Sequence, residues 1–172
     1  MSARLFVALD LPEEVRAAIP APPDPPWRPV APENLHVTLA FLGSREEDDI
    51  PLVVAALGGA VTPVGTLGLD EAIALPPRRP RVLAVRLDDP SGACRACQAS
   101  IAAALAGAGL YEPESRPWLP HVTIGRARGA VALGATELAV PPLSFAPPAV
   151  TLYRSRLGRG GSVYEPLARF AV

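Results

Sequence analysis

The sequence contains no lysine, because all 16 of its basic residues are arginine. Without a lysine the chain cannot form a Schiff base, a lysyl adduct with a nucleotide, or the lysine contact that a P-loop makes to nucleotide phosphates. P-loop NTPases, lysine-dependent aldolases and ATP-dependent ligases of the lysyl-adenylate kind are therefore excluded.

Cysteines and long hydrophobic runs are also scarce. The two cysteines, Cys94 and Cys97, are too few for a disulfide scaffold. The longest weakly polar stretch, 50–61, contains Pro51 and two glycines and is shorter than the roughly 18 residues that a membrane span needs. The first residues lack a long apolar segment with a cleavage site, so we expect a cytoplasmic protein that does not associate with membranes.

The composition favours one folded domain over the whole chain, 1–172. The chain is 49% hydrophobic and 19% charged, with a net charge of −1, which supplies a core and argues against disorder. The spacing of Cys94, Cys97, Ile101 and Leu105 by 3, 4 and 4 residues predicts one apolar helix stripe. We therefore expect both thiols to pack in the core, the alternatives being a redox pair or a zinc site with histidines.

Strand and helix signals occur twice in the same order. The first half predicts a strand at 4–11, a short helix, and a surface crossing through the seven prolines of 20–32. A strand at 35–42 closed by Gly43, a helix ending at 58–59 and a strand at 64–75 follow. The second half predicts a strand at 81–87, a helix capped by 89–91 and running to about 106, and strands at 121–126, 149–157 and 162–172. This order predicts an α+β fold of two duplicated strand-helix-strand lobes with a cleft between them.

The only two histidines, His36 and His121, stand 85 residues apart in matching tetrapeptides, His-Val-Thr-Leu and His-Val-Thr-Ile. Alternate strand residues share a face, so each histidine lies beside its threonine, Thr38 or Thr123. If the repeats face each other, two imidazoles and two hydroxyls surround a phosphate-sized volume and supply an acid, a base and hydrogen bonds to a developing charge. The alternative is two ordinary strand histidines bonded to backbone carbonyls.

The His-x-Thr pair does not stand alone. It occurs with Arg-Leu-Phe-Val-Ala-Leu-Asp-Leu-Pro at 4–12, Pro-Glu-Asn-Leu-His-Val-Thr-Leu-Ala-Phe-Leu-Gly at 32–43, and Tyr-Arg-Ser at 153–155. With these motifs the chain resembles the two-histidine (2H) phosphoesterases, and among them the RNA 2′,3′-cyclic phosphodiesterases also called 2′-5′ RNA ligases. In one departure, the segment before Trp27 is shortened and replaced by Pro-Pro-Asp-Pro-Pro.

The resemblance implies two antiparallel sheets around a central cleft with helices outside, and a reaction that uses neither metal nor ATP nor another cofactor. The implied substrate is RNA with a 2′,3′-cyclic phosphate end, or a cyclic nucleotide, opened to a 2′-phosphomonoester. His36 and His121 would be the acid-base pair, with His121 activating water and His36 protonating the departing 3′-oxygen. The reverse reaction would join a cyclic phosphate end to a 5′-hydroxyl without ATP.

Five residues after each histidine the repeats differ, with Phe41 in the first and Arg126 in the second. The second motif of the family carries a phosphate-contacting arginine at the position of Arg126. Odd spacing in a flat strand sends a side chain to the opposite face, so Gly125 or the strand end must redirect Arg126. Phe41 offers an aromatic face for a nucleobase, and core packing is its alternative.

The positive charge is concentrated in the second half of the chain. From 115 to 172 there are seven arginines against two acids, and Arg78, Arg79, Arg81 and Arg86 form a further cluster. This distribution suits a polyanionic partner, although charge runs are more often solvated faces. The alternatives to the RNA enzyme are a phosphodiesterase for a 2′-5′ oligonucleotide or an ADP-ribose cyclic phosphate, and a non-catalytic RNA-end-binding protein. We expect a monomer.

Overall fold

The computed structural model describes residues 1–23, 26–132, 137–159 and 161–172. Its helices are α1 (Glu13–Ala18), α2 (Ile50–Ala60) and α3 (Ala93–Gly107). Its strands are β1 (Ser2–Leu9), β2 (Arg28–Pro29), β3 (Val37–Glu46), β4 (Leu67–Leu75), β5 (Val82–Asp88), β6 (His121–Arg126), β7 (Ser144–Phe145), β8 (Ala149–Gly158) and β9 (Gly161–Ala171). Within these described ranges, no helix is long and apolar enough to cross a membrane.

The strands form two antiparallel lobes that meet at one point. Their order is β9-β8-β1-β3 in the first lobe and β6-β5-β4-β7 in the second, and β2 pairs with β6. Among the described residues, the ladder between β3 and β6 contains one residue pair, Val37 with Val122. The predicted α+β fold class is confirmed, and the two sheets of the prediction are connected through this pair into one continuous sheet.

The lobes exchange strands. The linear repeat in the sequence places β4 with the first half, but β4 pairs with β5 in the second lobe. Likewise β8 follows the second His-x-Thr motif and pairs with β1 in the first lobe. Each lobe is therefore built from a strand-helix-strand unit and completed by two strands from elsewhere in the chain, β8 and β9 in the first lobe and β4 and β7 in the second.

The core lies between the sheet and its helices. Helix α2 packs against α3, and α3 packs against β3. Cys94, Cys97, Ile101 and Leu105 are all fully buried on α3, so the predicted apolar stripe is confirmed. Burial raises the pKa of Cys94 to about 12, which keeps this thiol protonated and unreactive at neutral pH.

The cap predicted at 89–91 forms just before α3, whose N-cap position is Gly92. The Asp89 carboxylate accepts hydrogen bonds from the backbone N–H groups of Cys94 and Arg95, and the Ser91 hydroxyl accepts one from Ala93. These contacts satisfy N–H groups that have no partner within the helix. The last two strands form the predicted hairpin, with Gly158 opposite Gly161; Gly160 of its turn lies outside the described residues.

Two glycines predicted to end elements do not end them. Strand β3 continues past Gly43, which has a φ of +69° beside a register shift and so provides a bulge instead of a stop. Helix α2 continues through Gly58 and Gly59 to the buried Ala60. Burial of Ala60 offsets the low helix propensity of the two glycines. In the 20–32 segment, Asp24 and Pro25 lie outside the described residues.

Candidate active site

The two His-x-Thr motifs lie side by side on antiparallel strands, at the point where the lobes join. Val37 and Val122 are paired and fully buried, so the residues on either side of each valine project from the opposite face of the sheet. That face carries His36 and Thr38 from β3 and its approach, and His121 and Thr123 from β6. The Val37–Val122 pair therefore marks a local pseudo-two-fold axis with one histidine and one threonine on each side.

Both imidazoles are held in the same way. The Nδ1 atom of His36 lies 2.7 Å from the Asn34 carbonyl oxygen, and the Nδ1 atom of His121 lies 2.7 Å from the Leu119 carbonyl oxygen. A carbonyl oxygen only accepts hydrogen bonds, so Nδ1 carries the proton in each ring. Each neutral ring thus keeps its lone pair on Nε2, which is the atom left for proton transfer.

His36 is further fixed by its hydroxyl neighbour and by two aromatic rings. Its Nε2 atom lies 3.1 Å from the Thr38 hydroxyl oxygen. Phe6 lies against the imidazole at a centroid distance of 5.0 Å, and Tyr164 meets it edge-on at 5.4 Å. These contacts restrict rotation of the ring and keep Nε2 directed to one place.

The surroundings lower the pKa of His36. Desolvation by burial is the largest cause, and the positive charges of Arg126 and His121 act in the same direction. The hydrogen bond to the Asn34 carbonyl and the carboxylate of Asp10 oppose the shift. The substrate-free protein therefore holds His36 in its neutral form at neutral pH.

Matching bulges turn Phe41 and Arg126 toward the histidines. The β1–β3 register passes from Ala40 to Thr38 with Leu39 unpaired, and the β5–β6 register passes from Gly125 to Thr123 with Ile124 unpaired. One extra residue reverses the alternation of a strand. The fifth residue after each histidine consequently shares the histidine's face, as the prediction for Arg126 required.

One large cavity brings four of the predicted residues together. His36, Thr38, Phe41 and Arg126 line a cavity of about 880 Å³ that extends over the first lobe. Arg4 also lines it and stands over the Phe41 ring, 5.0 Å from the ring centroid. Phe41 is 47% exposed, so it belongs to the cavity wall and not to the core. Of the described residues, His121 and Thr123 are not among those that line this cavity.

A second, smaller cavity of about 300 Å³ lies on the other side of His36. There the Asp10 carboxylate accepts hydrogen bonds of 2.8 Å from the hydroxyls of Thr151 and Tyr153, and Arg169 lies 3.4 Å from it. Burial, assisted by the bond to Asp10, raises the pKa of Tyr153 to about 12. Tyr153 stacks on Phe6, so this network supports the ring that packs on His36.

The sequence pattern assigns no site role to Phe6 or Tyr164, which both contact His36. Phe6 was visible as a residue that alternates with Arg4 in a predicted strand, which puts both on one face. Tyr164 comes from β9, far along the chain, and only the β8–β9 hairpin carries it to His36. In the described part of the chain, no group of three or more histidine, cysteine or acidic side chains could hold a metal ion.

The chain is similar to a known family over most of its length. A sequence model of the 2′-5′ RNA ligase superfamily matches residues 10–159. The RNA 2′,3′-cyclic phosphodiesterase of Escherichia coli K12 is 34% identical, with 98% of this chain and 96% of that protein covered. The protein of the same name from Thermus thermophilus is 31% identical, with 98% and 90% covered. A crystal structure of E. coli LigT complexed with 3′-AMP superposes with a TM-score of 0.84 at 32% identity, covering 100% of this chain and 99% of that one.

Proposed function

The chain belongs to the 2′-5′ RNA ligase superfamily, and from this premise we propose that it hydrolyses the 2′,3′-cyclic phosphate ends of RNA to 2′-phosphomonoesters. The observation that carries the proposal is the pair of His-x-Thr motifs on one face of the sheet around Val37–Val122. Both imidazoles have Nδ1 bonded to a backbone carbonyl and Nε2 available. Hydrolysis of a phosphodiester by concerted acid and base catalysis requires one proton donor and one proton acceptor, and two such imidazoles can supply both.

In the proposed reaction, water attacks the phosphorus of the cyclic phosphate in line with the 3′-oxygen. His121 Nε2 takes the proton of the water as the new P–O bond forms. The P–O3′ bond breaks, and His36 Nε2–H gives its proton to the 3′-oxygen. The products are a 3′-hydroxyl and a 2′-phosphate, and the two histidines have exchanged protonation states. With a 5′-hydroxyl in place of water as the nucleophile, the same ring opening yields a 2′-5′ linkage and a 3′-hydroxyl without ATP.

Substrate binding would favour the protonated form of His36, which the lowered pKa disfavours in the substrate-free protein. The acid must be protonated, yet burial favours the neutral ring in the substrate-free protein. A cyclic phosphate carries one negative charge, and this charge beside the imidazole favours the protonated ring. We therefore expect substrate binding to raise the pKa of His36, so that the imidazole is protonated before it donates the proton to the 3′-oxygen.

Thr38, Thr123 and Arg126 are proposed to hold the non-bridging phosphate oxygens. Two hydroxyls and one guanidinium can donate hydrogen bonds to oxygens whose charge grows as the phosphorus becomes five-coordinate. No carboxylate in the described chain pairs with Arg126, which leaves its donors available for the substrate. Phe41, half exposed on the cavity wall, is proposed to stack on the terminal nucleobase.

The test is turnover of RNA oligomers and nucleoside 2′,3′-cyclic phosphates, with the product isomer identified by phosphorus NMR. We expect the product to be a 2′-phosphate and the rate of turnover to be unchanged by EDTA. His36→Ala and His121→Ala should each slow turnover by about 100-fold or more, and the double variant should lose little beyond the worse single one. Melting temperatures close to that of the parent protein serve as the control for folding.

Three results would contradict the proposal in different ways. Tight binding of cyclic-phosphate RNA without turnover would make the protein an RNA-end binder. Faster turnover of a 2′-5′ oligonucleotide or of an ADP-ribose cyclic phosphate would keep the chemistry and change the substrate. Loss of activity in EDTA, restored by zinc or manganese, would overturn the two-histidine mechanism.

The assignment of acid and base has its own test. A substrate with sulfur in place of the 3′-oxygen has a leaving group that needs little protonation. With this substrate His36→Ala should recover most of its lost rate, whereas His121→Ala should stay slow because the water still needs a base. Recovery by His121→Ala instead would reverse the two roles.

A further inference from the structure

Ion pairs divide the many arginines into two groups. Arg86 contacts Asp70 and Glu71, and Arg156 contacts Glu165 at 2.9 Å. Arg116 and Arg154 are also paired with acids. The second group has no carboxylate partner in the described part of the chain, and it includes Arg28 and Arg126, which are both exposed. Their charge is thus available to a ligand.

These two arginines stand opposite each other. Strand β2 pairs with β6 in antiparallel register, and Arg28 is the direct partner of Arg126. Directly opposed residues of an antiparallel ladder project from the same face, where like charges repel each other. A second arginine placed beside the proposed phosphate contact weakens the ladder unless an anion lies between or beside the two guanidinium groups.

The proline-rich segment is what brings Arg28 to this place. Gly125 has no side chain, and a Cβ added there would lie 3.1 Å from Pro22 and 3.3 Å from Trp27. Trp27 is buried, and the Val30 N–H donates a 2.8 Å hydrogen bond to the Ile124 carbonyl. The segment is therefore docked on β6 on both sides of Arg28, and Arg28 itself remains at the surface.

We propose that Arg28 binds the phosphodiester on the 5′ side of the terminal nucleotide, so that the site has a second phosphate position specific for RNA chains. This inference rests on the proposed function, because it assumes that the terminal phosphate lies at His36, His121 and Arg126. A nucleoside 2′,3′-cyclic phosphate has no such phosphodiester. Arg28 then distinguishes an RNA end from a cyclic mononucleotide.

The test compares two unreactive products, a trinucleotide ending in a 2′-phosphate and a nucleoside 2′-phosphate, in direct binding measurements. Arg28→Ala should weaken binding of the trinucleotide by roughly 10- to 100-fold, as expected for a hydrogen bond to a charged group, and change binding of the nucleoside less than about two-fold. The slope of log affinity against log salt for the trinucleotide should fall by about one. Arg28→Lys should restore part of the loss.

Two matched variants complete the experiment. Arg116→Ala removes one positive charge from an exposed loop, where Arg116 is paired only with the exposed Glu114, and should leave both affinities unchanged. Arg4→Ala tests whether the RNA chain instead runs past Arg4, which lies over the Phe41 ring. Equal weakening of both ligands by Arg28→Ala, no weakening of either, or a length-dependent loss in Arg4→Ala alone would each overturn the proposal. Because binding needs no turnover, a protein that hydrolyses no cyclic phosphate would refute the proposed function and still give this comparison.

Discussion

At the scale of single residues, the environment of His36 yields a prediction for its titration. Burial, Arg126 and His121 lower its pKa, while the Asn34 carbonyl and Asp10 raise it. In His121→Gln, His36 is the only histidine, so its NMR signal should titrate below the ordinary value of about 6.5. Adding Arg126→Gln should raise the midpoint, because a positive charge that disfavours the imidazolium is removed; adding Asp10→Asn should lower it.

The lowered pKa of His36 also makes the free energy of unfolding depend on pH. The folded pKa of His36 lies below the unfolded one, so the unfolded state binds more protons as pH falls below about 6.5. Stability should decline across that window, and this contribution should disappear in His36→Gln. A midpoint at or above 6.5 would show that the imidazole is not desolvated as described, and an unchanged midpoint in Arg126→Gln would show that the Arg126 charge does not act on it.

The two threonines differ in their contacts, and their variants should differ too. Thr38 lies 3.1 Å from His36 Nε2, so Thr38→Val removes both a phosphate contact and a partner of the imidazole. We expect each of Thr38→Val and Thr123→Val to cost about 1 to 3 kcal/mol in kcat/KM, and Thr→Ser to be mild. Only Thr38→Val should also move the pKa of His36. Parent-like rates in both valine variants would place the hydroxyls outside the site.

Phe41 is exposed enough for its role to be tested without loss of folding. Phe41→Ala should raise KM for cyclic nucleotides by the equivalent of about 1 to 3 kcal/mol and leave KM for a base-free ribose cyclic phosphate nearly unchanged. The melting temperature should hold, because the ring is 47% exposed. Equal damage with both substrates, together with a lower melting temperature, would assign the ring to packing.

At the scale of elements, the docking of β2 and the segment before it on β6 depends on Gly125. The Cβ of Gly125→Ala meets Pro22 and Trp27 at 3.1 to 3.3 Å, so the proline-rich segment must shift. Overpacking of this kind costs about 1 to 3 kcal/mol of unfolding free energy. Gly59→Ala is the matched control: its Cβ has open space within α2, and it should stabilise by roughly 0.5 to 1 kcal/mol. A fully stable Gly125→Ala would show that the segment yields freely.

The sequence predicts most elements, and its errors have identifiable causes. The alternation and caps that define β1, β5 and α3 are local and strong, and these elements appear close to the predicted positions. Gly43 was interpreted as a strand end, but the tertiary pairing with β1 carries the strand past it. The two-residue β2 could not be predicted, because a strand this short has no periodicity and its partner is distant in sequence.

The candidate site was predictable to the extent that it lies in the two motifs. Matching tetrapeptides place His36 and His121 without knowledge of the fold. The residue pattern does not predict the bulges at Leu39 and Ile124. The one indication is the odd spacing of His121 and Arg126, which would put them on opposite faces of a regular strand. Residues that reach the site through strand exchange, such as Tyr164, need the topology.

At the scale of the whole molecule, strand exchange should make unfolding a single transition. Each lobe is completed by two strands from elsewhere in the chain, so we expect that neither lobe can form its core alone. Leu152 in β8 and Leu83 in β5 are fully buried, one in each lobe. Leu152→Ala and Leu83→Ala should each cost about 2 to 5 kcal/mol and lower one common calorimetric midpoint. Two separate transitions, with each variant moving only one, would show independent lobes.

The single residue pair between the lobes has a consequence for the direction of catalysis. A rotation of 180° about a two-fold axis exchanges the two His-x-Thr motifs, so the motifs themselves do not distinguish one orientation of the substrate from the other. Orientation must therefore come from what breaks the symmetry, namely the fifth residue of each motif and the short strand that docks beside only one of them. Under the proposed function, the two matched motifs perform the chemistry, and the residues that differ between them decide which end of the substrate faces which histidine.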